Sequence, residues 1–177
     1  MSHIYGFLRA VNVGGRRITM VELAATLRDA ELSNPETFIA SGNFVFTGEG
    51  SASAIEATMV TKLGFCSEVY LRNRDEMLAL VEHAGPLAAQ AGVHATYVGF
   101  LKAPPNAALR ERLAIIENPQ DNFSFAGQDL IWTAYGPNTE TPFGKKGLGG
   151  RIKGGQAWPP ITWRNVKTLQ RMLAKWD

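Results

Sequence analysis

A pentapeptide occurs twice in the chain: Gly6-Phe7-Leu8-Arg9-Ala10 returns as Gly99-Phe100-Leu101-Lys102-Ala103, and each copy leads into a helical pattern. A second pair of segments keeps step with it. Ser41-Gly42-Asn43 before Phe44 corresponds to Ala126-Gly127-Gln128 before Leu130-Ile131-Trp132. One supersecondary unit met twice at matching positions argues for duplication. The chain is then restricted to folds built from two like halves, and its 177 residues give both of them room for a core.

Residues 4–10 read as a strand, and Met20, Leu23, Ala24 and Leu27 at i, i+3, i+4 and i+7 predict a helix over 20–30. Residues 36–40 and 43–47 are two short strands joined by a tight turn at Ser41-Gly42. A helix is predicted over 53–63, ended by Gly64, and a fourth strand over 66–72. That strand puts Val69 and Leu71 on one face and Glu68 and Tyr70 on the other. The order is βαββαβ, the split βαβ or ferredoxin-like unit. A third helix is predicted over 75–83, with Asn73 and Glu76 spaced as a capping box, before a linker from Gly85-Pro86 to Gly92.

The second half reads as a strand over 94–102, a helix over 107–117, and a hairpin of 122–125 with 130–135. A long loop rich in proline and glycine follows, to Gly155. A last helix is predicted from Thr162, its N-cap, to the C-terminus, with Arg164 and Asn165 in its opening turn. No strand is evident between Pro142 and Pro160, so the second half is expected to be imperfect. The predicted class is α+β: tandem ferredoxin-like halves with a C-terminal helix. Residues 1–73 form one half, 74–92 a connecting helix and linker, and 93–177 the other half with its basic loop.

Several motifs together carry a family likeness. They are Arg9-Ala10-Val11-Asn12-Val13-Gly14-Gly15, then Met20 and Leu23, then Ser41-Gly42-Asn43, then Thr162-Trp163-Arg164-Asn165 with Thr168 and Leu169. In this order they resemble the domain of unknown function 1697 family, a group of small bacterial proteins. The resemblance spans nearly the whole chain. It implies a tandem ferredoxin-like α+β fold and brings no activity with it. Ala10 stands where that family commonly has glycine, and Val166 where tryptophan usually follows Arg-Asn. The basic loop from Gly144 to Gly155 replaces a more regular helical stretch.

Composition removes several function classes. The single cysteine, Cys66, excludes an internal disulfide and any multi-cysteine metal site, and is expected to be a small core hydrophobe. His3, His83 and His94 lack metal-ligand spacing, so neither a metal nor a cofactor is expected. The run GKKGLGGRIKGG matches neither the P-loop nor the Rossmann fingerprint, and no G-x-S-x-G elbow occurs. No apolar run approaches the roughly 20 residues that span a bilayer, and the N-terminus passes straight into a strand pattern, so a cytoplasmic protein with no membrane partner is expected. The net charge of +2 conceals an asymmetry. Residues 140–177 carry 8 Lys/Arg against 2 Asp/Glu, net +6, whereas residues 1–139 carry 10 against 14, net −4. A basic segment of this kind meets an anionic partner or the acidic body of its own chain.

Positive sites follow from the first repeat. A strand, a glycine loop and a helix in succession expose backbone N–H groups at the helix start, where they can hold an anion. Strands one and two of the βαββαβ unit run parallel with strand three between them. The Asn12–Gly15 loop and the Ser41-Gly42-Asn43 turn are then expected about 10 Å apart, two strand spacings. Arg9, Asn12, Gly14, Gly15, Ser41 and Asn43 form the candidate site for a phosphate or carboxylate. Arg164 and Asn165 are expected to reach the same anion, with Lys145, Lys146, Arg151 and Lys153 as a basic fringe. The other reading stays open: the glycines only turn the chain, the turn only makes a hairpin, and Arg164 only ties its helix to a carbonyl or carboxylate. In the second half Pro104-Pro105 removes two backbone donors, which confines this mode of binding to the first.

RNA-recognition domains share the predicted fold and stack bases on aromatics of the two central strands. Tyr5 and Phe7 on one strand and Phe44 and Phe46 on the other are the counterparts here, but the full aromatic signature is absent, and burial between the halves is expected for them. The functional expectation is therefore binding of an anionic ligand, a nucleotide, phosphate or nucleic acid. The alternatives are an enzyme acting on a small phosphorylated or carboxylated metabolite, with no general base to name, and a protein–protein interaction module.

Overall fold

The computed structural model describes residues 2–11, 17–39, 42–145 and 158–176. The chain forms two compact units, residues 1–77 with 176–177 and residues 78–175, each built on a four-stranded antiparallel sheet.

The first sheet has the order β2-β3-β1-β4, from β1 (His3–Leu8), β2 (Ser33–Phe38), β3 (Asn43–Thr47) and β4 (Val69–Asn73). Helices α1 (Met20–Asp29) and α2 (Ala52–Leu63) cover one face, where Leu8, Leu23, Leu27, Phe44, Phe46 and Met59 pack as a core. Thr19 starts α1 by accepting from the Glu22 amide, and the Glu22 carboxylate takes the Thr19 N–H in return, a complete capping box. Gly6 pairs directly with Phe44, and the Phe44 ring fills the space that a Cβ at position 6 would need. Tyr5 and Phe7 therefore point to the opposite face from Phe44 and Phe46, and all four are fully buried. Trp176 returns to this unit, donating from Nε1 to Glu36 Oε1 at 3.2 Å and meeting the Phe38 ring edge-on at 5.6 Å.

The second sheet repeats the order as β6-β7-β5-β8, from β5 (Ala95–Phe100), β6 (Asp121–Ala126), β7 (Asp129–Ala134) and β8 (Thr162–Asn165). One face carries α4 (Ala107–Ile116) and the short α5 (Pro142–Lys145), with Leu109, Leu113, Leu130, Trp132 and Phe143 buried beneath them. Helix α6 (Val166–Lys175) lies along β5 and β8 and buries Val166, Leu169, Met172 and Leu173. Helix α3 (Arg74–Ala88) starts from the Asn73–Glu76 capping box read from the sequence, with both reciprocal bonds at 2.8 Å.

Four expectations need correction. Thr162–Asn165 is a strand and not the opening turn of a helix, so the second half has its last strand after all. The reason is non-local. Gly99 on β5 lacks the side chain that would stand 2.8 Å from the Trp163 ring and 2.9 Å from Ile161, and β8 fits into that space. The supposed linker at Gly85-Pro86 is helical to Ala88, because Pro86 lies in the last turn and removes one ladder bond only. Strand β2 begins at Ser33 and ends at Phe38, two residues short of the expected Ala40, where Ile39 takes φ +47°. It carries a bulge between Ser33 and Glu36, and its Pro35 is tolerated because β2 is an edge strand. Cys66 is exposed, outside β4, and is no part of the core.

Candidate anion-binding site

Arg9 follows directly on β1 and is tied to the segment before β4 at three points. Its amide donates to the Glu68 carbonyl at 3.0 Å, its carbonyl accepts from Ser67 Oγ at 2.7 Å, and its guanidinium donates to Glu68 Oε2 at 2.6 Å. The two charged side chains are 41% and 33% exposed, so water screens the pair, and its net contribution is small. Ala10 then turns the chain with φ +55°, a conformation that explains a preference for glycine at this position. The Leu8 amide donates to the Gly42 carbonyl at 2.8 Å and so pins the end of β1 to the β2–β3 turn. Asn43, fully buried, donates from Nδ2 to the Phe38 carbonyl at 3.2 Å and holds that turn closed. The structure thus brings Arg9 and Asn43 to one end of the first sheet, each with a structural bond. Asn12, Gly14, Gly15 and Ser41 lie outside the described residues, as do Lys146, Arg151 and Lys153 of the basic fringe.

The remaining predicted residues belong to the second unit. Arg164 donates from Nη1 to Thr162 Oγ1 at 2.9 Å and to the Trp163 carbonyl at 2.8 Å. Burial penalises its charge and lowers its pKa to about 10, which leaves it cationic at neutral pH. Asn165 accepts from the Lys167 amide at 2.9 Å and caps α6. Lys145 ends α5 and is exposed. Tyr70, beside the Arg9–Glu68 pair, has its phenol pKa raised by burial first and then by the Glu68 charge. Among the described residues, no group of three or more His, Cys, Asp or Glu side chains is placed to hold a metal, and no helix is long and apolar enough to cross a membrane.

A cavity opens where the sequence pointed away from one, at the end of β5 in the second unit. Its volume is about 360 Å³, and its described lining runs from Leu101 through the Pro104-Pro105 loop into α4, with Pro159-Pro160 on the far side. Lys102 at the strand end and Arg112 on α4 supply its positive charge. Ala108 and Arg112, four residues apart on α4, face it together. Asn106 caps α4 by accepting the Leu109 amide at 2.9 Å, which fixes the helix start against the loop. The strand end is clamped as well. Leu101 donates its N–H to Asp129 Oδ1 at 2.9 Å, and its carbonyl accepts from Gln128 Nε2 at 3.1 Å.

The two halves can be compared through their registers. Phe7 pairs with Tyr70, and two residues further on the Arg9 amide reaches the Glu68 carbonyl; Phe100 pairs with Thr162, and Lys102 and Pro160 lie at the same offsets from that pair. Where the first unit has the carboxylate of Glu68, the second has a proline at the matching offset. The repeat Gly99–Ala103 already marked Lys102 as the counterpart of Arg9 in the sequence. Pro104-Pro105 read only as lost donors hid the cavity.

A family model matches residues 1–131, three quarters of the chain, under the description "Protein of unknown function (DUF1697)". The chain belongs to the DUF1697 family. Among curated proteins, none matches this DUF1697 chain in sequence. Among solved structures it is similar to the conserved bacterial protein SP0830 from Streptococcus pneumoniae, with a TM-score of 0.72 and 18% identity over 99% of this chain and 98% of that one. At that identity the likeness supports the fold, an α+β architecture on two sheets, which this DUF1697 member shares along its length.

Proposed function

We propose that this DUF1697 protein binds a small anionic ligand and that the cavity at the end of β5 holds it. The observation that carries the reading is the wall of that cavity: Lys102 and Arg112 line it, and no acidic side chain stands among its described lining residues. A guanidinium and an ammonium on two different elements suit a phosphate or carboxylate, the guanidinium as a planar fork and the ammonium as a point charge. A volume of about 360 Å³ lies in the range of roughly 300–1,000 Å³ typical of small-molecule sites. Reading each unit as a ferredoxin-like βαββαβ supports the same place, because Arg9 and Lys102 then end equivalent central strands. The loop ends of the first half, with Arg9, Asn12, Gly14, Gly15, Ser41 and Asn43, keep the same reading as a second anion site, with Glu68 its internal competitor.

Binding is favoured over catalysis because the described lining contains no His, Cys, Asp or Glu to act as a general base. It is favoured over RNA recognition on the first sheet because Tyr5, Phe7, Phe44 and Phe46 are fully buried and divided between two faces. Isothermal titration with inorganic phosphate, pyrophosphate and citrate tests the proposal, alongside Lys102→Ala, Arg112→Ala, Pro160→Glu and Arg9→Ala. At least one anion is expected to bind the cavity, at least tenfold more weakly in the first three variants, and Arg9→Ala is expected to retain that tighter binding and to lose only the weaker first-half site. Pro160→Glu is the informative change, since it puts a carboxylate into the wall of the cavity that Lys102 and Arg112 line. Binding lost only in Arg9→Ala moves the site to the first half, and no binding of any anion overturns the proposal.

A further inference from the structure

We infer that the ligand carries a flat apolar ring beside its anionic group, and that the ring is received by two pairs of prolines. The inference rests on the anion reading of the same cavity. Pro104-Pro105 on the β5–α4 loop and Pro159-Pro160 ahead of β8 approach the cavity from segments far apart in sequence. Each proline presents a rigid ring of C–H groups and no backbone N–H. Leu101 and Leu109 are buried at the same wall, and Ala103 and Ala108 add only methyl groups. Asn106, the remaining polar side chain of the described lining, accepts the Leu109 N–H at its Oδ1, which leaves its Nδ2 as a donor.

The chemistry is therefore divided. Lys102 and Arg112 attract charge, while most of the wall offers nothing that can hydrogen-bond from its side chains. A ligand polar all round, such as a sugar phosphate, would turn some hydroxyls toward proline, leucine and alanine side chains that cannot pair with them, and that desolvation is costly. A planar ring meets the same surface without loss, removes apolar area from water, and requires no ordering of proline side chains that are already fixed. The class is an aromatic anion. Its charge comes from a phosphate, as in a nucleoside monophosphate, or from a carboxylate attached to the ring.

Titration of the full chain with AMP, indole-3-carboxylate, ribose 5-phosphate, inorganic phosphate and adenosine separates the possibilities. AMP or indole-3-carboxylate is expected to bind at least tenfold more tightly than ribose 5-phosphate or inorganic phosphate, and the stronger of the two identifies the source of the charge. Adenosine, which keeps the ring without the charge, is expected to bind at least tenfold more weakly than AMP if the phosphate is that source. Pro105→Ala and Pro160→Ala, checked for an unchanged melting temperature, are expected to narrow the advantage of the ring anion and leave affinity for inorganic phosphate unaltered. Equal affinity for ring and ringless anions overturns the ring inference while the anion reading stands. An equal loss for both kinds of ligand in the proline variants overturns it too. Failure of every anion to bind removes both.

Discussion

Asp121→Ala tests how the second unit is held together. Asp121 is fully buried, and its carboxylate accepts three bonds: from Trp132 Nε1 at 2.9 Å, from the Phe143 amide at 2.9 Å and from Asn118 Nδ2 at 3.1 Å. One side chain thus joins β7, α5 and the turn before β6. Alanine leaves the Trp132 and Phe143 N–H groups in the interior without that acceptor, at about 1–3 kcal/mol each. Asn118 is only partly buried and recovers some of its bond from water. Removing the carboxylate also ends its own desolvation cost, which trims the sum. The expected net loss is about 3–5 kcal/mol, in the range that marks a broken buried network. Asp121→Asn keeps one acceptor oxygen but turns an NH₂ toward the other donor, so about half of that loss is expected. Urea titration followed by tryptophan fluorescence reads both values, since Trp132 lies in the network itself. A loss below about 1 kcal/mol for the alanine variant would refute the reasoning. So would equal losses for alanine and asparagine, which would make lost volume the cause.

Two further outcomes follow from the packing and the buried phenols. Gly99→Ala places a methyl group 2.8 Å from the Trp163 ring, which is itself wedged against Trp132 and Phe143, and about 1–3 kcal/mol of stability is expected to be lost by overpacking. Gly136→Ala, whose new atom would meet nothing nearer than Thr141 at 3.7 Å, is expected to stay within about 0.5 kcal/mol in the same urea assay, and equal losses would refute the argument. Burial raises the Tyr97 and Tyr5 phenols above their ordinary pKa of 10.0, so above that pH the unfolded chain gives up protons that the folded chain keeps. Their contribution is fully present below pH 10.0 and is lost as pH rises through the folded-state pKa. Tyr97→Phe is expected to flatten the fall in urea midpoint between about pH 9 and pH 11, and an unchanged slope would exclude Tyr97 from it.

What the sequence revealed was what neighbouring residues decide. Strand β3 is legible from Asn43-Phe44-Val45-Phe46-Thr47 because a glycine turn stands before it, and α1 because Met20, Leu23, Ala24 and Leu27 keep an apolar helical period. The errors lie where distant residues overrule local ones. Thr162 after two prolines has every local mark of an N-cap, and the strong helical period from Val166 extends the misreading backward. What makes Thr162–Asn165 a strand is the bare Gly99, more than sixty residues earlier. Pro86 shows the converse, a breaker outvoted by the helical turns before it. The site divides in the same way. Arg9 was visible as a cation, but its partner Glu68 lies 59 residues away and no local pattern joins them. Pro104-Pro105 and Pro159-Pro160 wall one cavity without any sequence signal connecting the two pairs.

The matching strand orders of the two sheets make the comparison between the units an internal control. In both, the residue before the strand-end cation is fixed through its amide by the neighbouring hairpin, Leu8 to the Gly42 carbonyl and Leu101 to the Asp129 carboxylate. A backbone held in this way limits where the next side chain can reach, so Arg9 and Lys102 leave equivalent anchors. Their surroundings then differ by one register position. Glu68 gives Arg9 a carboxylate of its own chain, and an external anion must displace it. At the matching offset in the second unit stands Pro160, which lines the cavity and carries no charge. A cation that already has an internal counter-ion gains less from a ligand, because the ligand's attraction is offset by the pair it breaks. On the proposed reading, Glu68 against Pro160 is the difference that would make the first of these strand ends a latch and the second a wall for a ligand.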